Sequence, residues 1–572
     1  MSAGCRKNPS EKLALLSDDF VNSVLGASPS AATAAGLHLY QGIKLDEILD
    51  DFSPAAMDRQ RRSYEKFRTR LAEIRTEALS PEEKADYSII ENQIELALLD
   101  LNEIHSEAHA PQMYAEILGN ALFSPFVLEY RVRVERLQQI IARLQKVPLF
   151  LDTAASNLSS APPEWVQVAI EENQGNINLV DKEIRAQITT DLAQDYARAA
   201  RTALDAMNKY DKFLRNSLSQ RNPSDWRLGS LYAKKFRLTM AAGVEADDVL
   251  QAAERRMGEV RARMLELALP LHAKYFPAHR DHAGTPPAER INTVVGEVLD
   301  EIAKRHSTRE SYMGDARKDL EEARAFVQQS GLLTLPTRSN LQVIPTPEFM
   351  RGIYAVGGFN PAPALEPQLG AFYWVTPIPP DWPADRVESK LREYNFYKLK
   401  LLTIHEAVPG HYVQGEYAND VQPPHRRLLR SIFGNGPYIE GWAQYITQQM
   451  LEAGFLDHSP EMALTFAKEE LRVLANTILD VRLQMLNMTD QEALDLMMKQ
   501  TFQEKEEATA KLQRAKLSSA QLPTYFVGWR AWNKLRDEQR QAKGSTFNLK
   551  AFHDAALKEG AVSLNQLGGL VK

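Results

Sequence analysis

Cysteine is nearly absent from this chain of 572 residues: Cys5 stands alone. A single thiol closes no internal disulfide, and it excludes a zinc site built from several cysteines. A run of about 18 consecutive apolar residues is also missing, so no membrane-spanning helix is expected. Positive charge is not in excess. The 68 Lys and Arg against 75 Asp and Glu leave a net charge of −7. The concentrated basic surface that holds a nucleic-acid backbone is therefore lacking, and no nucleic-acid partner is expected. There is no internal repeat and no low-complexity tract. What remains is 44 % hydrophobic and 25 % charged residues. That is the balance of a globular chain rather than a disordered one, with length enough to bury a large core.

The surroundings of the one cysteine carry information. Ser2-Ala3-Gly4-Cys5 places small residues before it, and polar Arg6-Lys7-Asn8-Pro9-Ser10 follow. This resembles the processing point of a bacterial lipoprotein whose apolar signal segment has been trimmed away. It implies a lipid anchor at Cys5 and a periplasmic or envelope-bound location. The alternative is an incidental cysteine on a frayed end of a cytoplasmic protein.

Most of the chain has helical character. Ser80-Pro81-Glu82-Glu83 is a helix start, with a capping Ser, Pro at the first position and acids in the first turn. Ile90, Ile94, Ala97, Leu98 and Leu101 follow at helical spacing. Stretches 45–74, 130–151, 184–218 and 239–269 are likewise helix-compatible, and their apolar stripes are read as core. Between residues 332 and 383 the character changes: ten prolines and the Gly357-Gly358 pair break the pattern. Two β-branched or aromatic runs in this stretch, Leu341–Pro345 and Ala371–Val375, are predicted strands. The fold class predicted is mainly α, with long helices walling a deep cleft and a small β element just before the metal-binding helix. Residues 1–20 are expected to be a flexible segment and 21–330 a helical wall of the cleft. Residues 331–572 are expected to form a catalytic region integrated with that wall.

The most informative segment is His405-Glu406-Ala407-Val408-Pro409-Gly410-His411. Zinc hydrolases commonly place two imidazoles four residues apart on one helix face, as H-E-x-x-H. A spacing of six turns the second ring about 120° away on an unbroken helix, so chelation would fail. Pro409 lacks the amide that a continuous helix needs, and Gly410 reaches conformations closed to other residues. Together they can loop out and return His411 to face His405. A third ligand is expected on a following helix. Glu440, in Pro437-Tyr438-Ile439-Glu440-Gly441-Trp442, is the best candidate; His425 competes from a polar, basic stretch. Glu406, next to a ligand, is placed instead to take a proton from the attacking water.

These residues resemble the H-E-A-x-P-G-H signature of the bacterial domain-of-unknown-function 885 family. Its members resemble gluzincin-like helical zinc metallopeptidases. Glu440-Gly441-Trp442-Ala443-Gln444-Tyr445 resembles the family's E-G-W-A-x-Y segment, which implies Glu440 as third ligand. Ser28-Pro29-Ser30-Ala31-Ala32 resembles its opening. The resemblance implies one zinc ion per chain, short peptide substrates, and Tyr525 as donor to the developing oxyanion. Two departures stand out. The family's Pro-Gly-Gln before a Tyr is here Ala520-Gln521-Leu522-Pro523-Thr524-Tyr525, and its Asp followed four residues later by His is here Asp480 and Gln484. Phe372, Tyr373 and Trp374 are expected to bind substrate if their strand is an edge that pairs with an extended peptide, and to be core if it is buried. Two rival readings of function are an amidohydrolase or esterase acting on non-peptide substrates, and a non-catalytic peptide-binding protein. The intact Glu406 argues against the second, because a binder needs no base.

Overall fold

The computed structural model describes residues 8–351 and 354–571. The lipid-anchor expectation at Cys5 lies outside them. The protein is mainly α, as predicted, and among the described residues no helix is long and apolar enough to cross a membrane. The expected flexibility of residues 1–20 does not hold for its described part. A helix begins at Pro9, capped by the Asn8 side chain on the Glu11 amide, with Glu11 returning the bond. Its Leu13, Leu16 and Phe20 are buried, so this turn is pinned by core packing.

Ser80 caps the Pro81–Leu99 helix through a reciprocal bond with Glu83, as its sequence requires. One large apolar core takes side chains from Leu13 to Val571 and so joins residues 21–330 to residues 331–571. A second, built mostly from residues 49–218, also takes Phe349, Phe372 and Trp374. The two regions are thus stitched together at the β element.

That element has three strands: Leu341–Pro345, Gly357–Asn360 and Ala371–Val375. Both predicted strands have the expected bounds. The third was hidden, because two consecutive glycines carry no strand signal. Ala371–Val375 runs parallel to the first and antiparallel to the second, in the middle of the sheet. This corrects the edge-strand role of Phe372, Tyr373 and Trp374: both ladders of their strand are already occupied. Phe372 and Trp374 point into one core, and Tyr373 points into the other, where its hydroxyl meets Thr403 at 3.2 Å. The edge strands of the sheet are Leu341–Pro345 and Gly357–Asn360, and the second lines a large cavity.

Candidate metal centre

The His405 helix, Phe396–Glu406, stops where the sequence forces it to. Ala407 leaves helical geometry, and the next residues run through a cis Val408–Pro409 bond. The Gly410 amide then bonds back to the Ile404 carbonyl at 3.0 Å. A new helix, His411–Ala418, starts at once. The expected bulge is therefore a complete break between two helices, with His405 in the last turn of one and His411 first in the next. Glycine is required at 410, since a Cβ there would lie 1.9 Å from the His405 carbonyl oxygen.

The Glu440 helix, Gly436–Glu452, supplies the third group and grips the turn. The fully buried Trp442 donates its indole N–H to the Pro409 carbonyl at 3.1 Å. Gly441 meets Gly528 of the Thr524–Lys543 helix so closely that a Cβ at 441 would fall 2.3 Å from the Gly528 carbonyl carbon. This close crossing brings Tyr525 and Gln521 to the metal side. In Glu440-Gly441-Trp442, the first residue is the candidate ligand, the second makes the helix contact and the third clamps the turn.

The three predicted ligands converge. Nε2 of His405 and of His411 lie 3.6 and 3.4 Å from Glu440 Oε2. The two imidazoles stand edge to face, with centroids 4.7 Å apart. Glu440 Oε2 is buried with no hydrogen-bond partner, and Oε1 accepts a 3.4 Å bond from Gln521. Burial opposes the Glu440 charge, yet the two facing imidazoles hold its carboxyl well below the usual carboxylate range. Burial likewise opposes charge on His411, and the Glu440 carboxylate overrides it and raises that imidazole. A buried carboxylate aimed between two imidazoles attracts positive charge, and two nitrogens with one oxygen form a zinc donor set. The residues fit the ion.

Glu406 lies where two cavities meet. A smaller one of about 890 Å³ and a larger one of about 1710 Å³ share Tyr354, Gly357, Glu406, Arg514 and Tyr525 as walls. The Tyr525 ring stacks on His405 at 6.1 Å, and burial followed by the Glu440 charge raises its hydroxyl well above the usual phenol range, so it stays a donor. Of the expected substrate residues, Trp374 lines the larger cavity, whereas Phe372 and Tyr373 line neither. His425 lies on a separate helix, Pro424–Ile432, outside the cluster.

Sequence reasoning missed Lys511 and Arg514, one turn apart on the Lys505–Leu517 helix. Both face the smaller cavity, and neither has a hydrogen-bond or ion-pair partner among the described side chains. Lys511 is only 6 % exposed, and burial, with Arg472 and Arg514 nearby, pushes its ammonium well below the usual lysine range. The neighbouring cation Arg472 is paired with Glu507 at 2.6 Å. Asp480, the Asp that precedes the departure at Gln484, is not in the cluster. It accepts bonds from the Tyr232 hydroxyl at 2.6 Å and the Ala520 amide at 2.9 Å, and so fixes the turn that carries Gln521. Gln484 accepts from the Leu228 amide at 2.9 Å, a bond that ties a loop to the helix rather than a site role.

The profile of a family described as a bacterial protein of unknown function, DUF885, matches residues 29–571. A solved structure described as a candidate lipoprotein of unknown function from Shewanella oneidensis is 29 % identical. The match covers 98 % of this chain and 99 % of that one, with a TM-score of 0.78. A second, described as a candidate lipoprotein from Colwellia psychrerythraea, is 18 % identical over 99 % of this chain and 98 % of its own, with a TM-score of 0.78. At that identity the second likeness is one of fold alone. No curated protein matches the chain.

Proposed function

This chain belongs to the bacterial DUF885 family, and we propose that it is a zinc-dependent hydrolase cutting peptide bonds in short peptides. One observation carries the reading: His405, His411 and Glu440 converge beside Glu406, where two cavities meet. A zinc ion held by those three groups would supply Lewis acidity, bringing a water toward ionisation at neutral pH and polarising a carbonyl. Glu406 takes the proton as the water oxygen bonds the carbonyl carbon, and returns it to the amine nitrogen as the C–N bond breaks. The Tyr525 hydroxyl donates to the carbonyl oxygen as negative charge builds there. The Gly357–Asn360 edge offers backbone groups for an extended substrate to pair with.

The two cavities give the substrate a direction. Lys511, in the smaller cavity, and Arg514, on the wall that the two cavities share, have no hydrogen-bond or ion-pair partner among the described side chains and suit a carboxylate; the larger cavity accommodates the rest of the peptide. The favoured substrate therefore has a free C-terminus close to the scissile bond. The lipoprotein description of the Shewanella oneidensis neighbour, with Ser2-Ala3-Gly4-Cys5, supports a place at the cell envelope. The test is digestion of a peptide library with free and amidated C-termini, beside blocked esters and non-peptide amides. Zinc-dependent cleavage of short free peptides is expected. Cleavage of only the esters or non-peptide amides would replace the peptidase reading with that of an amidohydrolase or esterase.

A further inference from the structure

A second histidine–carboxylate cluster lies away from this site. His272 sits at the end of the Ala246–Tyr275 helix, His279 and His282 on the loop that follows, and Glu297 on the Pro287–Ala303 helix. Their imidazole nitrogens and carboxylate oxygens face one another. His272 Nε2 is 2.8 Å from Glu297 Oε2, and His279 Nε2 and His282 Nε2 are 3.2 and 3.5 Å from Oε1. His279 Nε2 and His282 Nε2 are 2.9 Å apart.

Hydrogen bonds alone do not satisfy this arrangement. Each neutral imidazole nitrogen carries either a proton or a lone pair, not both. If the proton between His279 and His282 sits on His282, the His279 lone pair faces the lone pairs of Glu297 Oε1. If it sits on His279, the His282 lone pair does. With both rings neutral, one close contact is thus lone pair against lone pair. A single cation at the centre would accept every lone pair at once. Tetrahedral zinc with bonds of about 2.0–2.1 Å spaces its ligand atoms roughly 3.3 Å apart. The contacts of the two Glu297 oxygens with the three imidazoles and the His279–His282 contact, 2.8 to 3.5 Å, lie around that value, and one ligand atom from each of the four residues lies within 4.8 Å of the others.

The scaffold holds the groups in place before any ion arrives. His272 is 1 % exposed, so packing restricts its ring. Arg290 bonds the Asp281 carbonyl at 3.0 Å and its carboxylate at 2.6 Å. Thr285 bonds the His282 carbonyl through its amide at 3.0 Å and its hydroxyl at 2.8 Å. His282 itself has φ +53, in the left-handed region that residues other than glycine seldom occupy. These contacts aim two loop imidazoles at a carboxylate on the next helix.

We propose that His272, His279, His282 and Glu297 form a second metal site that takes a borderline transition dication, with zinc as the reference ion, and staples two helices and their connecting loop. Three imidazoles and a carboxylate complete a tetrahedral set, so no position is left for a reacting water. Neither catalytic cavity reaches these residues, and the site is structural.

The test counts zinc on the full-length protein after equilibrium dialysis against zinc alone, with thermal melting as a second readout. Wild type is expected to hold two equivalents. The paired substitution His279→Ala/His282→Ala should hold one, keep wild-type peptide turnover, and lose the zinc-dependent rise in Tm. Glu297→Gln should weaken the same equivalent by at least tenfold without emptying the loop of histidines. His405→Ala/His411→Ala should also hold one equivalent, but the other one, with the zinc-dependent rise in Tm from the loop retained. The inference is overturned if His279→Ala/His282→Ala keeps the full wild-type count. It is equally overturned if wild type holds a single equivalent that the His405/His411 substitutions remove. A wild type that holds two equivalents but shows no peptide turnover would count against the catalytic reading alone.

Discussion

His405, His411 and Glu440 meet beside a second acid, Glu406, and between two cavities, whereas His272, His279, His282 and Glu297 meet at a helix–loop–helix junction with neither. The donor types are nearly the same in the two clusters. What differs is the count and the company. The first cluster has three protein ligands and keeps Glu406 nearby but outside the set, with Tyr525 stacked on a ligand. The second has four ligands, with its one carboxylate among them and no spare base. Ligands alone make a clip; a missing fourth ligand, a spare base and a place for substrate make a candidate enzyme.

The largest expected effect breaks the comparison at its root. His405→Ala or His411→Ala should abolish peptide turnover and remove the catalytic zinc, whereas His279→Ala/His282→Ala should leave turnover unchanged. Metal analysis with a peptide assay on the same preparations checks this. If both pairs reduce turnover alike, the division of labour is wrong.

Next comes Tyr525→Phe, which removes a hydroxyl that has no counterpart in the second cluster. Turnover should fall about 10²–10³-fold, the usual cost of losing one oxyanion donor, with zinc content intact. A fall confined to KM would make Tyr525 a substrate contact instead.

A smaller effect is expected at the cationic end of the smaller cavity. Lys511→Met should raise KM for peptides with a free C-terminus by roughly ten- to a hundredfold, as for one charge-assisted hydrogen bond of about 1.5–3 kcal/mol. Amidated peptides, already poor substrates, should be unaffected. Equal losses on both would remove the carboxylate-anchoring role.

The smallest expected effect concerns the turn behind Gln521. Burial raises the Asp480 carboxyl from 3.8 to about 7. Between those values the native state holds a proton that the unfolded chain releases, so this group's contribution makes stability fall as pH rises from about 4 to about 7 and then level off. Asp480→Asn keeps the acceptor for Ala520 and Tyr232 and should flatten that segment of the stability profile. Denaturant melts across the range would show it, and an unchanged slope would assign the dependence elsewhere.

How much of this was legible in the sequence depended on whether the controlling physics is local. The break after Glu406 was readable, because Pro409 and Gly410 act on their own backbone. Glu440 was readable from its place in a short helix-start segment. Leu341–Pro345 and Ala371–Val375 were readable from β-branched and aromatic runs, but their order in the sheet was not. Pairing is set by distant partners, so the central position of Tyr373 emerged only from the fold. Lys511 and Arg514 look like ordinary helix charges in sequence; lacking a partner is a tertiary property. The second cluster did leave a trace. Three of the chain's 12 histidines fall within residues 272–282, but the fourth group lies on another helix and no familiar spacing links them.

Everything proposed for the first cluster turns on Glu406 being the base and Glu440 a ligand, and zinc content measured beside peptide turnover on Glu406→Gln and Glu440→Gln tests it most directly. The amide has nearly the shape of a carboxylate but cannot take a proton at neutral pH, and it is a poorer zinc ligand. Glu406→Gln should keep the zinc that His405→Ala removes and lose turnover by about 10²–10⁴-fold, roughly 3–5 kcal/mol of transition-state stabilisation. Glu440→Gln should lose that zinc at concentrations where wild type stays saturated. Near-normal turnover in Glu406→Gln, or loss of its zinc while Glu440→Gln keeps it, would contradict this assignment.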